Sequence, residues 1–511
     1  MIIDDGQYDV IIVGTGAGGG TLAHKLAPTG KKILILERGD FMPLEEQNRS
    51  NVDVFKRERY HAPEQWYDTA GEPFSPQMNY AVGGNTKIYG ATLLRFRERD
   101  FERVEHQAGV SLEWCVKYAD FEPYYTEAEQ LYQVHGSLGG DPTEPEHSQG
   151  YPFEAIGQEP EIEEICGAMR SQPGLSATLH PTRLPLGLTR QDDDPTNDSE
   201  VSGIVPALKH PNVTLKTGAK VIALHTDPSG QRVKAVETQV GDQIYLFFAD
   251  IVVLACGAVN SAALLLQSVN EKHPKGLGNS SDLVGRNLMK SLLTAVVQLK
   301  NKANKGDFFK TVYVNDFYWG DADFPYPMGH IYNTGGLLSD IIFAEAPPLL
   351  SILAKYMPNF GLKQLATRSI GWWIQTEDLP DPNNRVRVEN NKLYIDYTPN
   401  NLEAHDRLIY RWTDILKTIE KELGGFQRGT HPRGEVPIQV MANQCGTCRF
   451  GNDRTTSVLD PNCRSHDVDN LYVVDSSFFP SNASVSPALT VIANALRVGE
   501  HLIERLGSGR L

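Results

Sequence analysis

The sequence predicts an α/β fold: a parallel, doubly wound sheet assembled from distant parts of the chain, and an antiparallel sheet forming a second unit. Three observations predict it. Residues 10–13, 251–255 and 471–474 are short, uninterrupted apolar runs, as required of parallel strands buried on both faces. The first run opens directly into the glycine-rich stretch Gly14-Thr-Gly-Ala-Gly-Gly-Gly20 and then a helical segment. Between 292 and 440, strand-like pieces recur at 292–299, 310–314, 369–376, 385–389 and 393–397, the texture of an antiparallel sheet.

Gly14, Gly16 and Gly19 fit G-x-G-x-x-G with a strand before and a helix after. In that context the first glycine allows the tight turn, the second lets backbone approach a pyrophosphate, and the third lets helix pack on strand. The helix N-terminus then faces the anion. A second strand, 32–36, ends at Glu37, where a carboxylate is placed to accept from ribose hydroxyls. This is a Rossmann-like dinucleotide signature. Residues 40–80, rich in charge, aromatics and proline, read as a long irregular excursion over the bound group. It ends at Ala81-Val-Gly-Gly-Asn-Thr-Lys87, where Gly83 and Gly84 permit close backbone approach and Asn85 and Thr86 offer caps.

Arg95 to Arg103 alternates with acids and reads as a solvated face. The aromatic stripe at 114–133 has helical spacing and reads as core. The aspartates at 192–194 lack the ligand spacing and closing glutamate of a calcium loop. Hairpin signals follow at 212–248, and then a strand, 251–255, broken by Gly257 with Asn260 as a helix cap. Residues 405–423 form an amphipathic helix, and 343–357 include an apolar patch that reads as helix start and core. The last segment returns to the first sheet: a strand ending at Asp475, then a helix with Pro487 in its first turn.

The chain has 511 residues, 40% hydrophobic and 22% charged, and a formal net charge of −16. That acidity argues against nucleic acid and against anionic membrane surfaces as partners. No apolar window approaches a membrane span. The early first strand and the absence of a leader-like segment predict a cytoplasmic location. Six cysteines do not suggest a disulfide scaffold. Cys445-Gly-Thr-Cys448 has no second pair or paired histidines beside it, so no metal site is expected.

These motifs together resemble the glucose-methanol-choline (GMC) family of flavoprotein oxidoreductases, most nearly its bacterial dehydrogenases and the pyranose-oxidase-like branch. The resemblance is carried by Val13 to Gly20 with Glu37, Ala81 to Lys87, Leu254-Ala-Cys-Gly-Ala-Val-Asn-Ser261, Val284-Gly-Arg-Asn-Leu288, Cys445-Gly-Thr, and Asn470 to Ser477 through Pro487-Ala-Leu-Thr490. It implies FAD, a substrate domain with a six-stranded antiparallel sheet, and oxidation of an alcohol or sugar CH–OH by hydride transfer to the flavin. By resemblance, Gly14, Gly16, Gly19 and Glu37 hold the ADP half and the Val221 backbone meets the adenine. Gly84, Asn85 and Thr86 lie along the pyrophosphate and flavin, and Asp475, Ser486 and Pro487 approach the isoalloxazine. It predicts a discontinuous FAD-binding domain at 1–40, 80–135, 205–291 and 441–511. Insertions fall at 41–79 and 136–204, and a substrate-binding domain at 292–440. Relatives that attach FAD covalently use a histidine after the second Gly-Gly. Here that stretch is Asn85-Thr-Lys-Ile-Tyr89, so FAD is expected to be non-covalent. The electron acceptor (oxygen, a quinone or another carrier) is left open.

The chain departs from the family at the chemistry. The position of the usual histidine is Asn443, and that of its usual His/Asn partner is Ser486. Asparagine does not take a proton at neutral pH, and serine needs its own base. Three accounts stand at this stage. Asn443 and Ser486 support a weak alcohol oxidation; or another group, His431 or His466, supplies the base; or the flavin serves a light-driven or lyase reaction. A redox-impaired FAD-binding protein is the remaining alternative.

Overall fold

The computed structural model describes residues 2–43, 45–49, 53–54, 57–172, 174, 179–189, 197–306, 310–334, 367–429, 431, 433–441 and 443–508. The apolar patch at 343–357 and the aspartate run at 192–194 lie outside the described residues.

A seven-stranded sheet begins with Ile2–Val13 between Ile33–Leu36 and Gln243–Leu254, both parallel to it. Val213–Lys216 extends one edge beyond Ile33–Leu36, again in parallel. Gln243–Leu254 is long enough to serve two partners along its other edge. Its first half pairs antiparallel with Val233–Val240, which pairs in turn with Ala219–Thr226. Its last three residues pair in parallel with Leu471–Val473. The apolar runs read from sequence are the buried centre: Val10, Ile11, Ile12, Ile33, Leu34, Ile35, Ile251 and Val253 are fully inaccessible. Helices Ala17–Leu26 and Ala488–Gly507 pack against one another. The parallel strands end together, at Val13, Leu36, Lys216, Leu254 and Val473, so their following loops share one edge of the sheet. Ligands bind at that edge in open α/β sheets.

A six-stranded antiparallel sheet runs Arg433–Glu435, Leu292–Leu299, Ser369–Thr376, His330–Thr334, Val312–Val314, Thr182–Arg183. Alternation along its strands separates two faces. Trp372 turns to helix Leu402–Ile419, where its ring meets Trp412 with centroids 4.7 Å apart. Trp373 takes the other face, opposite Tyr332 on the next strand. The α/β class with a separate antiparallel sheet is therefore as the sequence predicts.

Three local readings are corrected. Arg95 and Arg97 are not a solvated face: they are 1% and 2% exposed. Arg95 grips Glu129 with two hydrogen bonds of 2.7 Å, and Arg97 meets Asp141 at 2.6 Å. Alternating charge looks the same in sequence whether its partners are water or distant acids. Strands Arg385–Glu389 and Lys392–Asp396 do not join the six-stranded sheet. They form a separate four-stranded sheet in the order Arg385–Glu389, Lys392–Asp396, Trp66–Asp68, Pro73–Phe74, whose last two strands lie inside the excursion read as irregular. Helix Pro160–Ser171 and strand Thr182–Arg183 arise within the 136–204 insertion, and Ile162, Ile165 and Met169 join the core beneath the six-stranded sheet.

Candidate active site

The loops at the strand ends and the open face of the six-stranded sheet enclose one continuous cavity of about 760 Å³, within the range of small-molecule and cofactor sites. Its wall contains Gly14, Gly16, Glu37, Gly84, Asn85, Thr86, Val221, Asn443, Asp475, Ser486 and Pro487. Gly19 lies beneath the wall: a Cβ there would sit 2.1 Å from Gly14 O.

The glycine turn is shaped by close packing on one side and open space on the other. Gly14 has φ +101°, and a Cβ would meet Ala255 O at 2.4 Å. At Gly16 and Gly257, both in the cavity wall, a Cβ would meet nothing of the protein within 4 Å. Helix Ala17–Leu26 begins at Gly16 with no side-chain cap and no acid in its first turn, so its first amides and the positive end of its dipole are free for an anion. This cradle fits the pyrophosphate of FAD.

Glu37 sits where the next strand ends. Its Oε2 accepts from the Thr15 amide (3.1 Å) and hydroxyl (2.6 Å), and its Oε1 accepts from Gly39 N (2.9 Å). Burial pushes its carboxyl pKa up, while the Thr15 hydroxyl and the Gly39 and Thr15 amides pull it down. A carboxylate offers about four acceptor sites, so one remains for a ribose hydroxyl. Val221 lies where strand Ala219–Thr226 bulges between Val221 and Ala223, interrupting the ladder beside the cavity. Asp475 is committed internally. Oδ2 accepts from Gly257 N at 3.0 Å and from Ser261 Oγ, and Oδ1 accepts from the amide and hydroxyl of Ser477. It ties the Gly257 turn to the turn at Ser476–Phe478; its four acceptor sites are taken.

Sequence reasoning missed several residues that line the cavity or support its wall from behind. Ser199 donates to Thr15 O and Gly16 O, each 2.9 Å away, and Lys87 anchors the same segment through Asp198 and Glu200, both at 2.8 Å. His61, Glu64, Trp66 and Met78 of the excursion also line the cavity. Glu64 bridges Arg38 and the Tyr80 hydroxyl. Met78 Sδ receives the side-chain amides of Asn85 (3.5 Å) and Gln444 (3.4 Å). No local signal marks these residues, because their neighbours are distant in sequence.

At the other end of the cavity the wall is Leu293, Lys310, Tyr332, Trp373, Val436, Val440 and Met441. Asn443 adopts φ +57°, a region asparagine tolerates, and its Nδ2 donates to Ser291 Oγ at 3.1 Å. Neither substitute base suggested by sequence belongs to the wall. His431 is buried against Glu420 at 2.8 Å, part of a network through Gln298 to Trp372. His466 bonds Ser457 Oγ (3.0 Å) and Gly451 O (3.2 Å). Among the described residues His61 is the one histidine in the wall; burial lowers its pKa, and its Nδ1 faces Glu58 at 3.8 Å. Cys445 and Cys448 are free, fully buried thiols whose pKa values burial raises, and neither lines the cavity. Among the described residues no helix is long and apolar enough to cross a membrane.

Comparison with known proteins agrees along the whole chain. It is similar to paromamine 6'-oxidase of Streptomyces fradiae (28% identical, covering 97% of this chain and 91% of that protein). It is also similar to 2-methyl-1,2-propanediol dehydrogenase of Mycolicibacterium austroafricanum (26%, 98% and 96%). Among solved structures it shares the fold of pyridoxine 4-oxidase from Mesorbium loti (TM-score 0.68, 20% identical, covering 97% and 99%). The models of the GMC oxidoreductase family match residues 8–292 and 380–495; the chain belongs to that family, an FAD-dependent oxidoreductase built on the cavity described above.

Proposed function

We propose that the chain oxidises a CH–OH group of a small alcohol or sugar to a carbonyl. The observation that carries this reading is the continuity of one cavity. It runs from a glycine cradle suited to a pyrophosphate to an apolar, aromatic chamber on the sheet face. FAD, when bound, supplies the two-electron acceptor. Gly14, Gly16, Gly19 and Glu37 hold its ADP half, the Val221 backbone borders the adenine, and Gly84, Asn85 and Thr86 follow the pyrophosphate toward the flavin. Asp475 holds the Gly257 turn in place, and Ser486 and Pro487 border the flavin end. The attachment is non-covalent, since no histidine follows Gly83 and Gly84 before Tyr89. Segments 1–40, 80–135, 205–291 and 441–511 form the FAD-binding unit, and 292–440 the substrate unit.

Asn443 and Ser486 orient the substrate. Asn443 is anchored through Nδ2 to Ser291, which leaves its Oδ1 to accept the substrate hydroxyl; Ser486 offers a second donor or acceptor. Relatives named for paromamine and for 2-methyl-1,2-propanediol support a hydroxylated small molecule. The test is anaerobic mixing of the holoprotein, in the dark, with a panel of sugars and primary and secondary alcohols, following the flavin band. Bleaching by one class of donor is expected. If no donor bleaches either the wild type or the N443H/S486N variant, the reading is refuted.

A further inference from the structure

The CH–OH reading gives the substrate hydroxyl to Asn443 Oδ1. A serine hydroxyl, however, can hold an asparagine amide either way round, accepting from Nδ2 or donating to Oδ1, so Ser291 alone does not determine which atom of Asn443 faces the substrate. We propose that Gln375 is the positioning residue that determines it: its amide oxygen takes the Ser291 hydroxyl hydrogen, Ser291 Oγ then offers Asn443 only a lone pair, and Asn443 keeps Oδ1 toward the substrate. This rests on the CH–OH reading. Gln375 itself is fully buried and acts through Ser291 and Asn443.

Gln375 stands directly behind the hydroxyl-binding group. It lies on strand Ser369–Thr376, with Leu292–Leu299 on one side and His330–Thr334 on the other. Its register partners are Leu293, which lines the cavity, and His330. Side chains directly opposed on one sheet face have Cβ atoms about 4.5–5.5 Å apart, so the Gln375 amide reaches toward Ser291 on one side and His330 on the other. On the Ser291 side its amide nitrogen lies 3.1 Å from Oγ, and Asn443 Nδ2 lies 3.1 Å from the same oxygen. Backbone holds Ser291 beside Asn443: Met289 and Cys445 exchange two bonds of 3.0 and 2.9 Å, and Lys290 N donates to Asp378 Oδ2 at 2.9 Å.

The unpartnered atoms fix which way the amide works. With Nε2 toward Ser291, Gln375 Oε1 is buried without a partner among the described residues, and so is Nε2 of the opposed His330. His330 Nδ1 lies 2.7 Å from Asn315 Oδ1, Asn315 Nδ2 donates to Asp141 Oδ2 at 2.8 Å, and Asp141 is paired with Arg97 at 2.6 Å. A carboxylate only accepts, so Asn315 turns its nitrogen to Asp141 and its oxygen to His330. The hydrogen of the neutral His330 ring therefore sits on Nδ1, and Nε2 is a lone pair facing another acceptor. Exchanging the oxygen and nitrogen of the Gln375 amide, which have the same shape, satisfies every group. Nε2 donates to His330 Nε2, and Oε1 accepts the Ser291 hydrogen, which otherwise has no acceptor among the described residues. The bonds then run one way, from Asn443 through Ser291, Gln375, His330 and Asn315 to Asp141, each group donating to the next. Aligned hydrogen bonds polarise one another, and the accepting end of this chain is Asn443 Oδ1.

The experiment measures anaerobic flavin reduction at saturating concentrations of the donor found in the panel, in wild type, Q375M, Q375E, N443A and Q375M/N443A holoenzymes. Q375M should reduce the flavin about tenfold more slowly, the worth of roughly one hydrogen bond. N443A should be at least as slow, and Q375M should add nothing to it, because Gln375 acts only through Asn443. Q375E should stay within threefold of wild type, since a glutamate shares one proton with His330 through one oxygen and accepts from Ser291 with the other. In parallel, NMR of wild-type holoenzyme with its histidines labelled with 15N, the His330 signals assigned by their loss in H330F, should show His330 as the neutral tautomer with its hydrogen on Nδ1. The proposal is overturned if Q375M stays within twofold of wild type, if the Q375M and N443A losses multiply, if Q375E is as slow as Q375M, or if His330 carries its hydrogen on Nε2, which would let Gln375 keep its nitrogen on Ser291. The tautomer is read without any change at Gln375, so it decides the matter even where Q375M does not retain FAD. Failure of the functional reading looks different: the wild-type flavin is then bleached by no donor, whatever the His330 tautomer.

Discussion

Replacing Gly16 by alanine should separate cofactor binding from folding. Gly16 has φ −65° and ψ −169°, a conformation alanine adopts without strain. A Cβ there meets nothing of the protein within 4 Å. Two small terms oppose one another in the apoprotein. Loss of unfolded-chain freedom stabilises alanine by about 0.4–1 kcal/mol. Gly16 is also a helix N-cap, where alanine is worse than glycine by a similar amount, roughly 0.5–1 kcal/mol. The apoprotein should therefore melt within a few degrees of wild type. The methyl group instead occupies the cradle. If it displaces two charge-assisted amide bonds to the pyrophosphate, each worth about 1.5–3 kcal/mol, the loss is about 3–6 kcal/mol, or roughly 10²–10⁴ in Kd. Gly19→Ala is the control of opposite type. Its Cβ would lie 2.1 Å from Gly14 O and 3.0 Å from the Ala255 Cβ, so helix must leave strand at an overpacking cost of about 1–3 kcal/mol or more. The assay is deflavination, a thermal melt of each apoprotein, and FAD titration by fluorescence quenching. The reasoning is refuted if G16A binds FAD within threefold of wild type, or if its apoprotein melts as low as G19A.

Two further outcomes test the second unit. Trp412 is fully buried against Trp372 and its Nε1 has no partner among the described residues. W412A should cost about 3–5 kcal/mol, whereas W412F keeps most of the buried ring and removes a stranded donor; it should melt close to wild type, and an equal fall in both would refute the packing argument. His405 is buried between the hydroxyls of Thr294 (2.8 Å) and Thr376 (2.9 Å), and burial lowers its pKa to about 4. It is neutral when folded and protonates near 6.5 when unfolded, so its contribution, about 3 kcal/mol, is intact above pH 6.5 and is lost as pH falls toward 4. Urea unfolding of H405Q should show a shallower loss of stability than wild type between pH 7.5 and 5; parallel slopes would exclude the assignment.

The parts legible in the sequence are those whose physics is local. Residues 10–13 need no distant partner to announce a strand buried on both faces, and Gly14 to Gly19 carry their conformational and close-approach constraints in residue identity alone. Helix Leu402–Ile419 was readable from its amphipathic period, although it starts three residues before the expected 405. The excursion was not legible because Trp66–Asp68 and Pro73–Phe74 are strands of three and two residues. Trp66–Asp68 is held by pairing with Lys392–Asp396, more than 300 positions away in the numbering, and Pro73–Phe74 pairs in turn with Trp66–Asp68; no propensity sums to a strand over so short a length. The same reason hid Ser199 and Met78 from the candidate site.

The distribution of charge in the cavity explains why the site can be strongly specific for a cofactor without a basic motif. The chain is acidic overall, at −16, and the cations nearest the glycine cradle are already matched. Lys87 holds Asp198 and Glu200, and Arg38 stacks on Tyr80 and meets Glu64. What is left to face a pyrophosphate is backbone: the uncapped start of helix Ala17–Leu26 and the open turns at Gly16 and Gly257. Fixed amides stabilise an anion without requiring a long side chain to be ordered, and they do not attract the many other polyanions that a cationic patch would collect. Two of the wall's carboxylates follow the same logic. Glu37 and Asp475 hold backbone and hydroxyl donors in place, so their charges are spent on shaping loops.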